Sequence, residues 1–227
     1  MKGMRLVGSM VTAIFAAGAL FAATASAAPP EFLKKAKFKL EGTNVVFKTV
    51  AGQEIKCSSS LGSGEIIAEK SKIAKAVSIK FKGCKLALIG CKTAGAAAEE
   101  IETKTLEGEL GYIKPGKAGA EHVAFGLAPA VGTVVFQYEC GTLVKKGEDT
   151  GCVAGDLSKA GVETNQFTLL FEETAGVQKV KAYEKTLNGE ERKCTMEDKV
   201  EGTAPEGVGL ETSLSMKTGL ELEKIMS

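Results

Sequence analysis

Along most of the chain apolar residues fall on alternate positions, and this constrains the fold more than any other feature, because a period of two is that of a strand with one dry and one wet face. In AVSIKFKGC, Val77, Ile79 and Phe81 alternate with Ser78, Lys80 and Lys82, and in GTVVFQYEC, Val134, Phe136 and Tyr138 alternate with Val135, Gln137 and Glu139. Leu106, Gly108, Leu110 and Tyr112 share one side of LEGELGYI, as Phe167, Leu169 and Phe171 do in QFTLLFEE. Further short strands are expected in AKFKL, TNVVFKTV, QEIKC, GEIIAEK, EHVAFGL, KVKAYEK and VGLETSLS. Turns at Ala51-Gly52, Lys146-Gly147 and Asn188-Gly189 punctuate them, the last being the strongest two-residue hairpin signal. Many short strands with turn residues between them predict an all-β fold, an antiparallel β-sandwich or barrel. Within the body, helix is expected only as a short turn in TAGAAAEEIET (93–103), whose alanines and glutamates favour it.

The first 27 residues read as a signal peptide helix and stand apart from this pattern. Lys2 and Arg5 supply the positive start, an almost wholly apolar run follows from Leu6 to Ala23, and Ala25-Ser26-Ala27 is the small-x-small pattern a signal peptidase accepts. Cleavage after Ala27 is expected, leaving residues 28–227 as a single β-rich extracellular domain without a membrane span. The competing reading is an uncleaved anchor, since the run is at the lower edge of spanning length. A lipid anchor is excluded by the lack of any cysteine before Cys57.

All six cysteines (Cys57, Cys84, Cys91, Cys140, Cys152 and Cys194) lie beyond the export signal, and an even number in an exported chain predicts three disulfides. Spacing favours Cys84 with Cys91, which flank the six-residue segment KLALIG; closing that hairpin would contribute about 2–3 kcal/mol on chain-entropy grounds. By the same local logic Cys140 would pair with Cys152, leaving Cys57 with Cys194. A related echo, KTVAGQEIKC (48–57) against KTLNGEERKC (185–194), suggests two equivalent hairpins with joined cysteines, or coincidence in a chain rich in Lys, Glu, Gly and Thr.

Charge excludes some functions. Loss of Lys2 and Arg5 leaves 27 Lys+Arg against 28 Asp+Glu with the signs well mixed, so no nucleic-acid partner is expected. The run Lys34, Lys35, Lys37, Lys39 reads as the exposed face of a strand that buries Ala36, Phe38 and Leu40. A single histidine, His122, and the absence of C-x2-C pairs argue against a metal site, and no cofactor is expected. No G-x-S-x-G elbow, P-loop or dinucleotide fingerprint occurs, and neither Ser63 nor Ser158 has a base at a motif spacing. Asp149, Asp156 and Asp198 read as turn residues. A glutamate pair of glycosidase type could be drawn from Glu99, Glu100, Glu102, Glu107 and Glu109, but exposed strand faces account for these equally.

The motifs GEII (64–67), VSIKFKGC (77–84), CKTAGAAAEEIET (91–103), LEGELGYI (106–113) and FQYECG (136–141) resemble, in this order, a group of uncharacterised exported proteins abundant in some actinobacterial genomes. The resemblance covers about residues 43–180. It implies export and an all-β fold, and it transfers no functional residue. Cys152 and Cys194 are extra to that group's usual pattern, which counts against pairing Cys57 with Cys194. The expected function is therefore a secreted or cell-envelope binding or structural module without catalytic residues, whose partner is an envelope component or another protein. The candidate contact loop is KLALIG, because Leu86, Leu88 and Ile89 are apolar where a loop is expected; its alternative fate is to tuck into the core. Two other classes compete: a secreted hydrolase using a glutamate pair, and a self-assembling or pore-forming β protein.

Overall fold

The computed structural model describes residues 30–113, 122–161, 163–185, 189–219 and 223–226. The expected export segment lies outside them, as does Asn188 of the expected Asn-Gly turn. The described chain is all-β, and residues 93–99, expected to favour helix, form turns leading into a short strand. The alanines there have no second turn of apolar residues to dock, so intrinsic propensity alone does not nucleate a helix.

The body is built from β1 (Ala36–Thr49), β2 (Glu54–Ile66), β3 (Ile73–Lys82), β4 (Glu100–Glu102), β5 (Leu106–Tyr112), β6 (Val123–Pro129) and β7 (Val134–Cys140). These are followed by β8 (Val144–Gly151), β9 (Val153–Leu157), β10 (Gln166–Phe171), β11 (Ala182–Glu184), β12 (Glu191–Lys193), β13 (Met196–Val200) and β14 (Glu206–Thr218). Strands β1, β2, β3, β5, β6, β9, β10 and β14 pair antiparallel in that order, and β14 returns to β1, closing an eight-stranded barrel. Of the two architectures expected, the barrel is the one adopted.

Three strands are too long for one barrel. The far ends of β1, β2 and β14 run on into a second ring with β3, β4, β7, β8 and β13. Its β4–β7 seam is joined by isolated bridges, Thr103 to Phe136 and Lys92 to Glu139, and by the Thr93 hydroxyl, which donates to the Gln137 carbonyl (2.7 Å) and accepts from the Glu102 amide (3.0 Å). Where β14 passes from one ring to the other, the Gln178 side chain serves as a missing strand. It accepts from the Leu210 amide (2.9 Å) and donates to the Leu210 carbonyl (3.3 Å), satisfying backbone groups that would otherwise be buried unpaired.

A bulge allows β1 to serve both rings. Ala36, Phe38 and Leu40 face inward before Asn44, and Val45, Phe47 and Thr49 after it, so the inward positions change from even to odd. The register with β14 slips between Thr43 and Val46, and Asn44 takes φ 54°, a left-handed conformation that Asn tolerates better than most residues. One core runs through both rings. In the first, Phe38 lies over Gly64 and Phe125 over Gly108, where a Cβ would come within 2.3 and 2.2 Å of the rings. In the second, Phe47 meets Phe81 and Phe136 edge-on at 5.0 Å, and Phe136 leans on Tyr138.

All six cysteines are paired, as expected of an exported chain, but in none of the partnerships that spacing favoured. The bonds are Cys57–Cys84, Cys91–Cys140 and Cys152–Cys194. KLALIG does turn back on itself, with the Cys91 amide donating to the Cys84 carbonyl at 2.8 Å. Its two arms, however, face different neighbours, β2 on one side and β7 on the other, and each cysteine is joined to the strand beside its own arm. The two echo segments are not joined either. Cys194 ties down a strap whose described residues, 172–185 and 189–195, lie outside the first barrel and lay Tyr183 on Gly111 and Gly126. A Cβ on Gly126 would sit 2.6 Å from that ring. Gly126→Ala is expected to cost about 1–3 kcal/mol by overpacking and to expose the strap to protease in native buffer. Unchanged melting and proteolysis would mean that the strap is not held there.

Candidate functional site

The KLALIG segment carries Leu88, the most exposed large apolar side chain among the described residues, followed by Val131 in the turn between β6 and β7. Lys85–Leu86 pairs with Ile89–Gly90 within the hairpin and with Lys56 and Ile55 of β2, and the tip turns through Ala87 at φ 54°. The two-residue turn Ala87-Leu88 then separates its three candidate residues. Leu86 points inward and packs against the core, whereas Leu88 is 91% exposed and Ile89 is 37% exposed. Ile89 lies against Gly141 in the β7–β8 turn, which carries Leu143 at 59% exposure. Leu88, Ile89 and Leu143 thus form an apolar tip at the end of the second ring, with Cys57–Cys84 and Cys91–Cys140 fixing both arms of its hairpin.

Beneath this end lies a cluster that the turn reading of the aspartates misplaced. Asp149 on β8 and Asp198 on β13 are direct cross-strand partners with inward side chains, 2% and 3% exposed. They are hydrogen-bonded to each other, and the Tyr138 hydroxyl donates to Asp198 Oδ1 at 2.9 Å. Burial, then the neighbouring Asp198 charge, holds the Asp149 carboxyl well above the usual carboxylate range. Asp198 is also raised, by burial first. The tyrosine is pushed up by burial and by the facing aspartates. Two carboxyl groups in this contact cannot both ionise, so Asp149 keeps its proton and donates it to Asp198. The crevice above them, lined by Thr49, Gln53, Ile55 and Leu86, is about 10 Å³, room for one water at most. The signal was present in TMEDKV, where Asp198 alternates in phase with Met196 and against Glu197 and Lys199.

The glutamates considered as a catalytic pair lie on outer faces beside cations. Glu100 and Glu102 meet Lys80, Glu107 meets Lys75, Glu99 meets Lys85, and Glu109 meets Arg192 and the Tyr183 hydroxyl. His122 Nδ1 lies 2.8 Å from Asp156 Oδ2 at an exposed position. Ser158 shares that shallow surface but accepts from the Thr168 amide at 2.9 Å. Ser63 lies on the outer face of β2. Among the described residues no group of three or more His, Cys, Asp or Glu is placed to hold a metal ion, and no helix is long and apolar enough to cross a membrane.

Fold and site together define a disulfide-braced, two-ring antiparallel β-barrel protein with an apolar tip. No protein family, curated protein or solved structure matches the chain.

Proposed function

We propose that this is an exported binding or structural module of the cell envelope that acts by presenting surface, without turnover. The observation that carries the reading is the apolar tip. Leucine and isoleucine side chains left in water forgo about 1.5–3 kcal/mol each relative to burial, so a chain that holds them outward gains only when a partner covers them. The hairpin is also ordered in advance by two disulfides, which removes much of the ordering cost of binding. Three disulfides fit an oxidising compartment, and the export signal and the likeness to actinobacterial exported proteins point the same way.

The test compares the wild type with Leu88→Asp for co-sedimentation with the envelope fraction of the producing cells. Leu88 is solvated, so the variant is expected to fold and melt like the wild type. It is expected to bind at least tenfold more weakly, the effect of about 1.4 kcal/mol. Equal sedimentation of the two, or none by either, contradicts the reading.

A further inference from the structure

We infer that the end of the second ring seats on the surface of a lipid bilayer, an assignment that rests on the tip being a contact site and names its partner. Four turns make this end: 50–53 between β1 and β2, 87–88 in the KLALIG hairpin, 141–143 between β7 and β8, and 202–205 between β13 and β14. They meet in a circle. The Val50 amide donates to the Gly207 carbonyl and the Ala51 amide to Glu206 Oε2, both at 2.9 Å, which joins the first turn to the last. The Glu201 amide donates to the Lys146 carbonyl at 2.9 Å, Ile89 lies against Gly141, and Leu86 pairs with Ile55, which completes the circuit.

Every residue of these turns is exposed and none carries a charge, although 25% of the chain is charged. The opposite end of the molecule differs, since the β2–β3 turn there holds Glu69, Lys70 and Lys72. Val50, at 56% exposure, thus joins Leu88 and Leu143 as an apolar side chain on a third turn of the same end. Charge begins just behind the turns. Lys85, Lys145, Lys146 and Lys199 are exposed there, and among the described residues only Lys85 of the four meets an acid, Glu99 at 3.4 Å. Among the acids beside them, Glu54 is engaged by Lys48 and Lys56, Glu206 holds the Ala51 amide, and Glu201 is exposed at the foot of the last turn.

Size and charge select the occupant. Each side of a stable protein interface takes about 20–30 residues, and these turns hold about half that number. The crevice beneath them, about 10 Å³, admits no side chain of a partner. The boundary between headgroups and acyl chains has no fixed shape to match. It accepts apolar side chains one by one, to a depth of about 5–10 Å. It also penalises buried charge, so a protein end that enters it must be uncharged over its whole breadth and not only at a central patch, as this end is. The lysines behind the turns suit the layer above, where an ammonium group stays among hydrated phosphates while its stem lies along the apolar surface.

Flotation of the purified exported protein with vesicles of phosphatidylcholine and phosphatidylglycerol tests the assignment. The wild type is expected to float with them. Leu88→Asp and Leu143→Asp, on different turns, are expected to bind at least tenfold more weakly and to melt like the wild type, because both side chains are solvated. Val131→Asp, at a position 89% exposed but at the other end of β7, is expected to bind unchanged. The chain has no tryptophan, so Leu88→Trp carries a single reporter whose emission is expected to move to the blue when vesicles are added, while that of Val131→Trp stays in place. No flotation, undiminished flotation of both aspartate variants, or a blue shift for Val131→Trp overturns the lipid assignment. If the wild type nevertheless sediments with the envelope fraction and Leu88→Asp does not, the tip remains a contact site and its partner is another envelope component.

Discussion

Replacing Cys91 and Cys140 together by alanine is expected to lower the free energy of unfolding by about 4 kcal/mol. The bond closes a loop with a sequence separation of 49, and constraint of the unfolded chain grows with the logarithm of that length. The Cys57–Cys84 bond, separation 27, is expected to contribute about 3.5 kcal/mol by the same reasoning. Against a total stability of about 5–15 kcal/mol for an ordinary domain, either loss is large. The first has a local consequence as well. The β4–β7 seam is held by isolated bridges and one threonine hydroxyl, with no continuous ladder, so without Cys91–Cys140 the hairpin arm at 89–92 is tied to β7 only through the Lys92–Glu139 bridge. Denaturant titration should show the drop in stability, and amide exchange should show faster opening confined at first to residues 85–92. An unchanged midpoint would contradict the bracing role.

Asp149→Ala is expected to cost about 2–3 kcal/mol, because it leaves the Asp198 carboxyl buried without the acid that donates to it. Asp149→Asn should cost much less, since an amide also donates and needs no shared proton. The two forms differ most clearly in their pH dependence. The folded Asp149 carboxyl lies above its unfolded value of about 3.9, so between the two values the native state binds more protons than the unfolded chain. This group's contribution is therefore fully present below the ordinary carboxylate range and is lost as pH rises toward the folded value, by up to about 1.4 kcal/mol per pH unit. The groups facing the pair are Tyr138 from β7 and Glu206 at the start of β14, with the Lys199 amide donating to Asp198; the Glu206 charge raises Asp198, whereas the Tyr138 hydroxyl and the Lys199 amide, by donating to it, lower it. Unfolding curves from pH 4 to 8 should show the wild type losing stability relative to Asp149→Asn as pH rises. Parallel curves would mean that the pair holds no extra proton.

Periodicity made the fold class legible. Val77, Ile79 and Phe81, or Phe167, Leu169 and Phe171, need only a sheet with one dry face. What alternation could not show was continuity. AKFKL and TNVVFKTV read as two strands because the inward phase changes at Asn44, whereas a bulge makes them one strand of 14 residues spanning both rings. QEIKC and the start of GEIIAEK likewise belong to a single strand. Cysteine pairing was hidden for a related reason. Local spacing correctly turned KLALIG into a hairpin, but which strands flank its arms is decided by contacts far away in sequence. The tip was half legible: three apolar residues in a loop were visible, and only the placing of the turn at Ala87-Leu88 leaves Leu86 on a strand against the core and Leu88 in solvent. Asp149 and Asp198 were readable in phase with their inward neighbours, yet their meeting depends on the register of β8 against β13. The meeting of four uncharged turns at one end is likewise a product of topology alone.

Two disulfides grip the tip from opposite sides, and peptide mapping of the unreduced protein tests this most directly. Trypsin cuts at Lys85, between Cys84 and Cys91, so each bond leaves a distinct linked pair. The expected products are peptide 83–85 joined to 57–70, peptide 86–92 joined to 118–145, and 147–159 joined to 194–199. Recovery of 83–85 joined to 86–92, which reports Cys84 bonded to Cys91, would contradict it.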